Sequence, residues 1–191
     1  KLTNAEKTIA NWERNAAKAK AVTTKIDNLP KNVTLKNKAA VKEARAAYNA
    51  LTKDQQKLVP ADALKKLTNA EKTISYWVSY NKNAAKAKAV TTKITSVKNV
   101  KEKKAVVKWA KKSGITGYQV RYSINKNMKK NVKTVTINKQ TTGNITVKKL
   151  EKKKTYYFQV RTFTKVKNKA TGKTTTVYGK WSGKKEVKIK K

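Results

Sequence analysis

The chain has 191 residues, with 49 Lys plus Arg against 10 Asp plus Glu, a net charge of +39 and neither Cys nor His. Without Cys there is no disulfide framework and no thiolate chemistry. Without His there is no Ser–His or Cys–His relay and no zinc site of the usual ligands, and no apolar run reaches the roughly 18 residues a membrane span requires.

The chain starts at Lys1 without a signal peptide, which reads as an excerpt of something longer. Lys1–Ile9 spells KLTNAEKTI, and Lys66–Ile74 spells it again. Asn15–Ile26 spells NAAKAKAVTTKI, and Asn83–Ile94 repeats it. This is an internal duplication with a period of one supersecondary unit, 65 to 68 residues. Leu2, Ala5, Ile9, Trp12, Ala16, Ala19, Val22 and Ile26 follow the 3–4 rhythm of one buried helical stripe. Leu64, Leu67, Ile74, Trp77, Ala84 and Val90 do the same in the second copy, so Trp12 and Trp77 are expected in the core. Between the copies Val41, Ala44, Tyr48 and Leu51 form a third stripe, with Thr34 placed to cap it. Thr52-x-x-Gln55 is a capping box for a further short turn, and Pro60 suits the first turn of the next helix.

The spacing predicts helices over about 2–26, 35–51 with an extension to 58, and 61–92. Short connections make neighbours antiparallel, a three-helix bundle over 1–93. The repeated segments place the end of one unit and the start of the next on one continuous helix, so units of a spectrin-like array would share helices. More copies are expected upstream.

Residues Val33-Thr34-Leu35, Ala44-Arg45-Ala47-Tyr48-Leu51-Thr52, Gln56-Leu58-Val59 and Leu67-Ala70-Glu71-Ile74 carry a pattern. It resembles a helical repeat of large Gram-positive, mainly clostridial, surface proteins. The resemblance covers about 1–93. It implies a secreted, wall-associated protein and no catalytic activity.

From Ile94 the period switches to two. Short strands are predicted at 94–100 and around Val107-x-Trp109, Tyr118-x-Val120-x-Tyr122, Val135-x-Ile137, Ile145-x-Val147, Tyr156-x-Phe158-x-Val160 and Val187-x-Ile189. Seven strands in under 100 residues predict a β-sandwich over 94–191. Trp109 is a core tryptophan on the second strand, and Leu150 with Tyr156 has the spacing of a tyrosine corner. With Ile115-x-Gly117-Tyr118-x-Val120-x-Tyr122, these residues resemble a fibronectin type III domain. That resemblance implies a binding module or spacer. No Arg-Gly-Asp occurs, so it does not imply integrin binding.

Tyr178-Gly179-Lys180-Trp181-Ser182 resembles the Trp-Ser motif of cytokine-receptor fibronectin domains. The resemblance implies an aromatic stacked with basic side chains of neighbouring strands. Arg121 and Arg161 face outward on adjacent strands, and a guanidinium stacks on an aromatic face better than an ammonium does. A cation–π stack of Arg121, Trp181 and Arg161 is therefore expected, with solvated charges on an open face as the alternative.

Other motifs fail on context. Gly172-Lys173-Thr174 resembles the tail of a phosphate-binding loop, but Lys167 stands where that loop needs Gly and no helix follows. Ser123-x-x-Lys126 has no partner motif of a serine–lysine enzyme. The carboxylates are scattered, so neither an acid–base pair nor a calcium loop is expected. No catalytic residue, cofactor or metal is expected.

Residues 1–93 hold 20 basic and 7 acidic residues, a net of +13, and residues 94–191 hold 29 and 3, a net of +26. The basic runs are Lys101, Lys103 and Lys104; Lys111 and Lys112; Lys129 and Lys130; Lys148 and Lys149; Lys152, Lys153 and Lys154; Lys184 and Lys185. They are candidate anion-binding positions. The expected partners are anionic polymers of a cell wall or host surface, namely teichoic acid, sulfated or sialylated glycans, or extracellular DNA, with a host protein as a further candidate. A charge run is by default a solvated face, so the same lysines are equally read as wet surface.

The leading function is a non-enzymatic extracellular structural or adhesion module on a bacterial surface, without membrane insertion. A dedicated nucleic-acid-binding protein fits the charge but not the chemistry. Base readout favours Arg, and most aromatics fall on inward positions, so nucleic acid is expected only nonspecifically. An accessory module of a large secreted hydrolase is the remaining alternative.

Overall fold

A computed structural model describes residues 3–100 and 103–190. The chain divides into two compact units, 1–80 with 168–172, and 81–167 with 173–191.

In the first unit, α1 (Asn4–Asp27) opens on a capping box in which Thr3 and Glu6 satisfy each other's backbone amides. It ends before Asn28-Leu29-Pro30, where the ring of Pro30 cannot continue a helix. The helix expected from 35 begins instead as a 3₁₀ turn over Leu35–Asn37, and α2 runs Lys38–Asn49. Thr34 is the N-cap of that 3₁₀ turn, in a capping box with Asn37, and Asn37 is in turn the N-cap of α2. The Asn37 side chain accepts from the Thr34 amide at 2.9 Å, and this tightens the first turn. The Thr52–Gln55 box forms and opens α3 (Lys53–Lys57). Gln55 is buried, and its amide donates to Asn15 Oδ1 at 2.9 Å, which meets the requirement that a buried polar group be bonded.

Helix α4 (Ala61–Ala89) follows Pro60. The core of this unit joins Ala19, Val22, Ile26 and Leu29 to Val41 and Ala44, and both to Leu67, Ala70 and Ile74. Arg45 clasps Glu71 through Nε and Nη2 at 2.7 and 2.8 Å.

The expected stripe of the first helix is only half buried. Ala19, Val22 and Ile26 are in the core, but Ile9 and Trp12 are 58% and 61% exposed. Trp12 is therefore not a core residue, because nothing in the described structure packs over the first three turns of α1. Trp77 is half-buried and donates Nε1–H to the Val33 carbonyl at 3.3 Å. Leu2 lies outside the described residues.

Among the described residues the second unit is a two-sheet sandwich of eight strands: β1 (Ile94–Val100), β2 (Lys104–Trp109), β3 (Gly117–Ser123), β4 (Lys133–Ile137), β5 (Asn144–Val147), β6 (Thr155–Lys167), β7 (Thr174–Tyr178) and β8 (Lys185–Lys188). One sheet has the order β1-β2-β5. The other has β4-β3-β6-β7, with β8 also on β6. Strand β7 was not among the seven expected. Its Thr-rich residues are nearly all exposed, so no apolar alternation marks it. The helix expected to 92 stops at Ala89, because the next residues enter the sandwich.

Ile94, Val107, Trp109, Tyr118, Val120, Leu150, Phe158 and Val160 build the core between the sheets. Trp109 packs on Tyr118 with ring centroids 5.3 Å apart. The Tyr156 hydroxyl accepts from the Glu151 amide at 3.1 Å, the geometry of a tyrosine corner.

Candidate functional site

Strand β6 is 13 residues long, and two short strands share its far edge. Thr155–Phe158 pair with β8 and Phe163–Lys167 pair with β7. Between them the chain bulges through 179–184. Ser182 fills the gap in the ladder. Its hydroxyl accepts from the Val160 amide at 3.0 Å, and its own amide donates to the Val160 carbonyl at 2.8 Å. This bulge aims Trp181 back across the outer face of the sheet.

On that face, period two puts Gln119 and Arg121 of β3 beside Gln159 and Arg161 of β6. Arg121 sits opposite Gln159, and Gln119 opposite Arg161. Arg121 donates through Nε and Nη2 to Gln159 Oε1 at 3.0 and 2.6 Å. Arg161 does the same to Gln119 Oε1 at 2.9 and 2.7 Å. Both guanidinium carbons lie 4.3 Å from the Trp181 ring centroid, and Arg161 also lies 3.8 Å from the Tyr178 ring. Gln159 Nε2 then donates to the Ser182 carbonyl at 2.6 Å, tying the ladder to the bulge.

The structure thus brings Arg121, Arg161 and Trp181 together and adds Tyr178, Gln119 and Gln159. Burial pulls both guanidinium groups below their usual value; Tyr178 opposes the shift at Arg161 and Arg121 adds to it. Both stay charged at any physiological pH, because an arginine starts so high. Two like charges held this close are set against ring faces and amide oxygens. Replacing Trp181 by Ala removes two cation–ring interactions at about 0.5–2 kcal/mol each, so a destabilisation of about 1–4 kcal/mol is expected. Urea unfolding measures it. An unchanged midpoint would mean that the ladder is surface decoration.

The lysine runs are divided by the topology. Strand directions put the β1–β2, β3–β4 and β5–β6 connections, and the chain beyond β8, at one end of the sandwich. Lys103, Lys129, Lys130, Lys148, Lys149, Lys152, Lys153 and Lys154 gather there, all exposed, with Lys190 joining them. Backbone bonds join the β1–β2 connection, the β5–β6 connection and the segment after β8: Leu150 N to Lys103 O at 2.9 Å, and Lys153 N to Ile189 O at 2.8 Å. Among the described residues of these connections one carboxylate, Glu151, stands with them, exposed.

Lys104, the first residue of β2, is half-buried. Lys111 and Lys112 are at the opposite end, on the β2–β3 connection. Lys184 and Lys185 lie at the start of β8, where their ammonium groups donate to the Lys126 and Thr95 carbonyls at 2.9 and 3.3 Å. Lys101 lies outside the described residues. Three of the gathered lysines, Lys103, Lys149 and Lys153, have φ of 57°, 57° and 63°. That left-handed backbone costs a side-chain-bearing residue about 1–2 kcal/mol relative to the usual region, and glycine adopts it freely. The sequence showed the lysines as six runs, and only the loop pairing shows which of them meet.

Among the described residues there is no group of three or more acidic side chains that could hold a metal ion, and no helix is long and apolar enough to cross a membrane. The second unit, with its three-stranded sheet on a larger one, its tyrosine corner and its core tryptophan, has the architecture of a fibronectin-like β-sandwich. Residues 89–178 match the fibronectin type III domain family, so the chain carries such a domain after its helical region.

The fn3 domain of human contactin 1 is similar at 16% identity and a TM-score of 0.44, over 54% of this chain and 79% of that one. An Fn3-like protein from Clostridium thermocellum is similar at 16% identity and a TM-score of 0.39, over 55% and 96%. The chicken CNTN1 FN1–FN3 structure is similar at 20% identity and a TM-score of 0.41, over 53% of this chain and 32% of that one, so the match spans about a third of its length. A comparison with curated proteins returns no match.

Proposed function

We propose that the chain is a non-enzymatic spacer and adhesion module of a Gram-positive surface protein, in which spectrin-like three-helix units carry a fibronectin type III domain that binds anionic polymers. One observation carries the binding part of this reading. The lysines of three loops converge on one end of the sandwich, and three of them occupy left-handed backbone that glycine would hold at less cost. A face that needs only to be wet has no use for a charged side chain at such positions. The ligand class is a polymer with regularly spaced phosphate or sulfate groups, held by counterion release. The polymer backbone fits better than bases, because Trp109, Tyr118, Tyr156, Phe158 and Phe163 are buried. Trp181 is covered by two arginines, so its ring faces are not open for base stacking.

The test uses the whole chain with heparin, teichoic acid, duplex DNA and a neutral glycan across a salt series. Replacing Lys103, Lys149 and Lys153 by Gly relieves the left-handed backbone while removing charge. Affinity for the three anionic polymers is expected to fall about tenfold or more. The slope of log K against log salt on DNA should become shallower by about 0.9 for each phosphate that the variant no longer neutralises. Thermal stability should hold or rise. Parent-like binding by this variant, or no binding of the parent at physiological salt, would leave only a spacer.

A further inference from the structure

The same nonapeptide is found twice in this chain, and it does two different things. In α4 the segment Lys66–Ile74 with Trp77 is covered: Ala70 and Ile74 are 4% and 8% exposed. Glu71 takes the bidentate grip of Arg45, and Trp77 donates to the Val33 carbonyl. Thr68 sits inside the helix and returns its hydroxyl to the Leu64 carbonyl at 3.0 Å. In α1 the equivalent residues are Ala5, Glu6, Ile9 and Trp12, and all four are exposed. Here Glu6 is turned back onto Thr3 as a helix cap, at 2.6 Å from the Thr3 amide. That bond holds its carboxyl below the usual carboxylate range. An apolar stripe this exposed, with a carboxylate beside it, has the composition of an interface rather than of a solvent face.

We propose that the Ala5–Glu6–Ile9–Trp12 face of α1 is a docking surface for a further helical unit that precedes α1 in the same polypeptide. The occupant has the chemistry of residues 29–48 of this chain. It offers an arginine to Glu6 as Arg45 does to Glu71, apolar residues to Ala5 and Ile9 as Leu29, Val41 and Ala44 do to Ala70 and Ile74, and a backbone carbonyl to Trp12 Nε1 as Val33 does to Trp77. A second copy of the chain is the weaker occupant for two reasons. Its own residues 29–48 are already engaged by its own α4. Two chains of charge +39 also repel. Docking converts Thr3 from a cap to an interior residue, its hydroxyl bonding one turn back as that of Thr68 does. The proposal rests on reading the helical region as one unit of an array; it does not depend on the anion-binding reading.

The test lengthens the chain by a second copy of residues 1–65 joined ahead of Lys1, which reproduces the natural Lys65–Lys66 junction. The outer tryptophan of the added copy is changed to Phe, so that Trp12 is read by comparison with Trp12→Phe. Acrylamide quenching of Trp12 is expected to fall several-fold relative to the 191-residue chain, and its emission to shift to the blue. Amide exchange over residues 3–14 should slow at least tenfold. Glu6→Gln keeps the capping box but loses the charge, so it should lower the melting temperature of the longer chain by more than it lowers the parent's, and an equal drop in both would count against the docking.

Three results would overturn the proposal and can be told apart. Added residues that exchange as an unfolded tail would defeat the array reading along with it. Added residues that are protected while Trp12 stays fully quenchable would defeat the docking alone. Sedimentation of the parent as a dimer with Trp12 shielded would also defeat it, by making a second copy the occupant.

Discussion

Phe158→Ala is expected to cost about 3–5 kcal/mol, the range for removing a large buried aromatic. Phe158 has no exposed surface and lies at the middle of the sandwich core. Its ring stacks on Tyr122 with centroids 5.7 Å apart, and its backbone pairs with both Tyr122 of β3 and Lys185 of β8. Alanine leaves a void that the surrounding strands cannot close, because Val107, Val120 and Val160 are β-branched and held at fixed register. With a urea slope of about 1–3 kcal/mol/M, the midpoint for the sheet should drop by roughly 2 M. A loss below about 1 kcal/mol would mean that this side chain is not packed as described.

Gly179→Ala is the second large effect, and its cause is backbone rather than core volume. A Cβ at Gly179 runs into the carbonyl oxygen of Val90 and the hydroxyl of Thr162. Neither can step aside. The Thr162 hydroxyl donates to that same Val90 carbonyl at 2.6 Å, and the Gly179 amide donates to the Thr162 carbonyl at 3.0 Å. The substitution must either lift the 90–93 connection off β6 or open the bulge that carries Trp181. Overpacking of this kind costs about 1–3 kcal/mol, and a clash with backbone belongs at the top of that range. Gly183→Ala is the control, since nothing lies within 4 Å of its added Cβ. Thermal melts of the two variants should differ by several degrees. Equal melts would show that the bulge yields freely.

Much of the candidate site is readable from residue order. Arginine is scarce in this chain, and period two puts two of its four arginines on one outward face, where a Trp-Ser sequence could reach them. Gln119 and Gln159 escape such a reading. A glutamine on an exposed strand position carries no distinguishing mark, and only the cross-strand register makes each the acceptor for the opposite arginine. The convergence of Lys103, Lys149 and Lys153 is invisible for the same reason, because it depends on loops that meet through Leu150 and Ile189.

Local sequence determined the cap at Thr52, the alternation of β3 and β6, and the absence of His- and Cys-based chemistry, because each depends only on residues a few positions apart or on composition. Tertiary structure decided the fate of the repeated dodecapeptide NAAKAKAVTTKI. As residues 15–26 it is helical throughout, and Val22 and Ile26, one turn apart, both reach the helical core. As residues 83–94 it is helical only to Ala89, and Ile94 begins β1. There Thr162 takes the Val90 carbonyl, the Ala110 amide takes the Lys93 carbonyl, and Ile94 lies opposite Trp109. Val-Thr-Thr-Lys-Ile is rich in β-branched residues, whose preference between helix and strand is worth only a fraction of a kcal/mol per residue. A preference that small is overruled by whichever neighbours bury Val and Ile and satisfy the backbone between them.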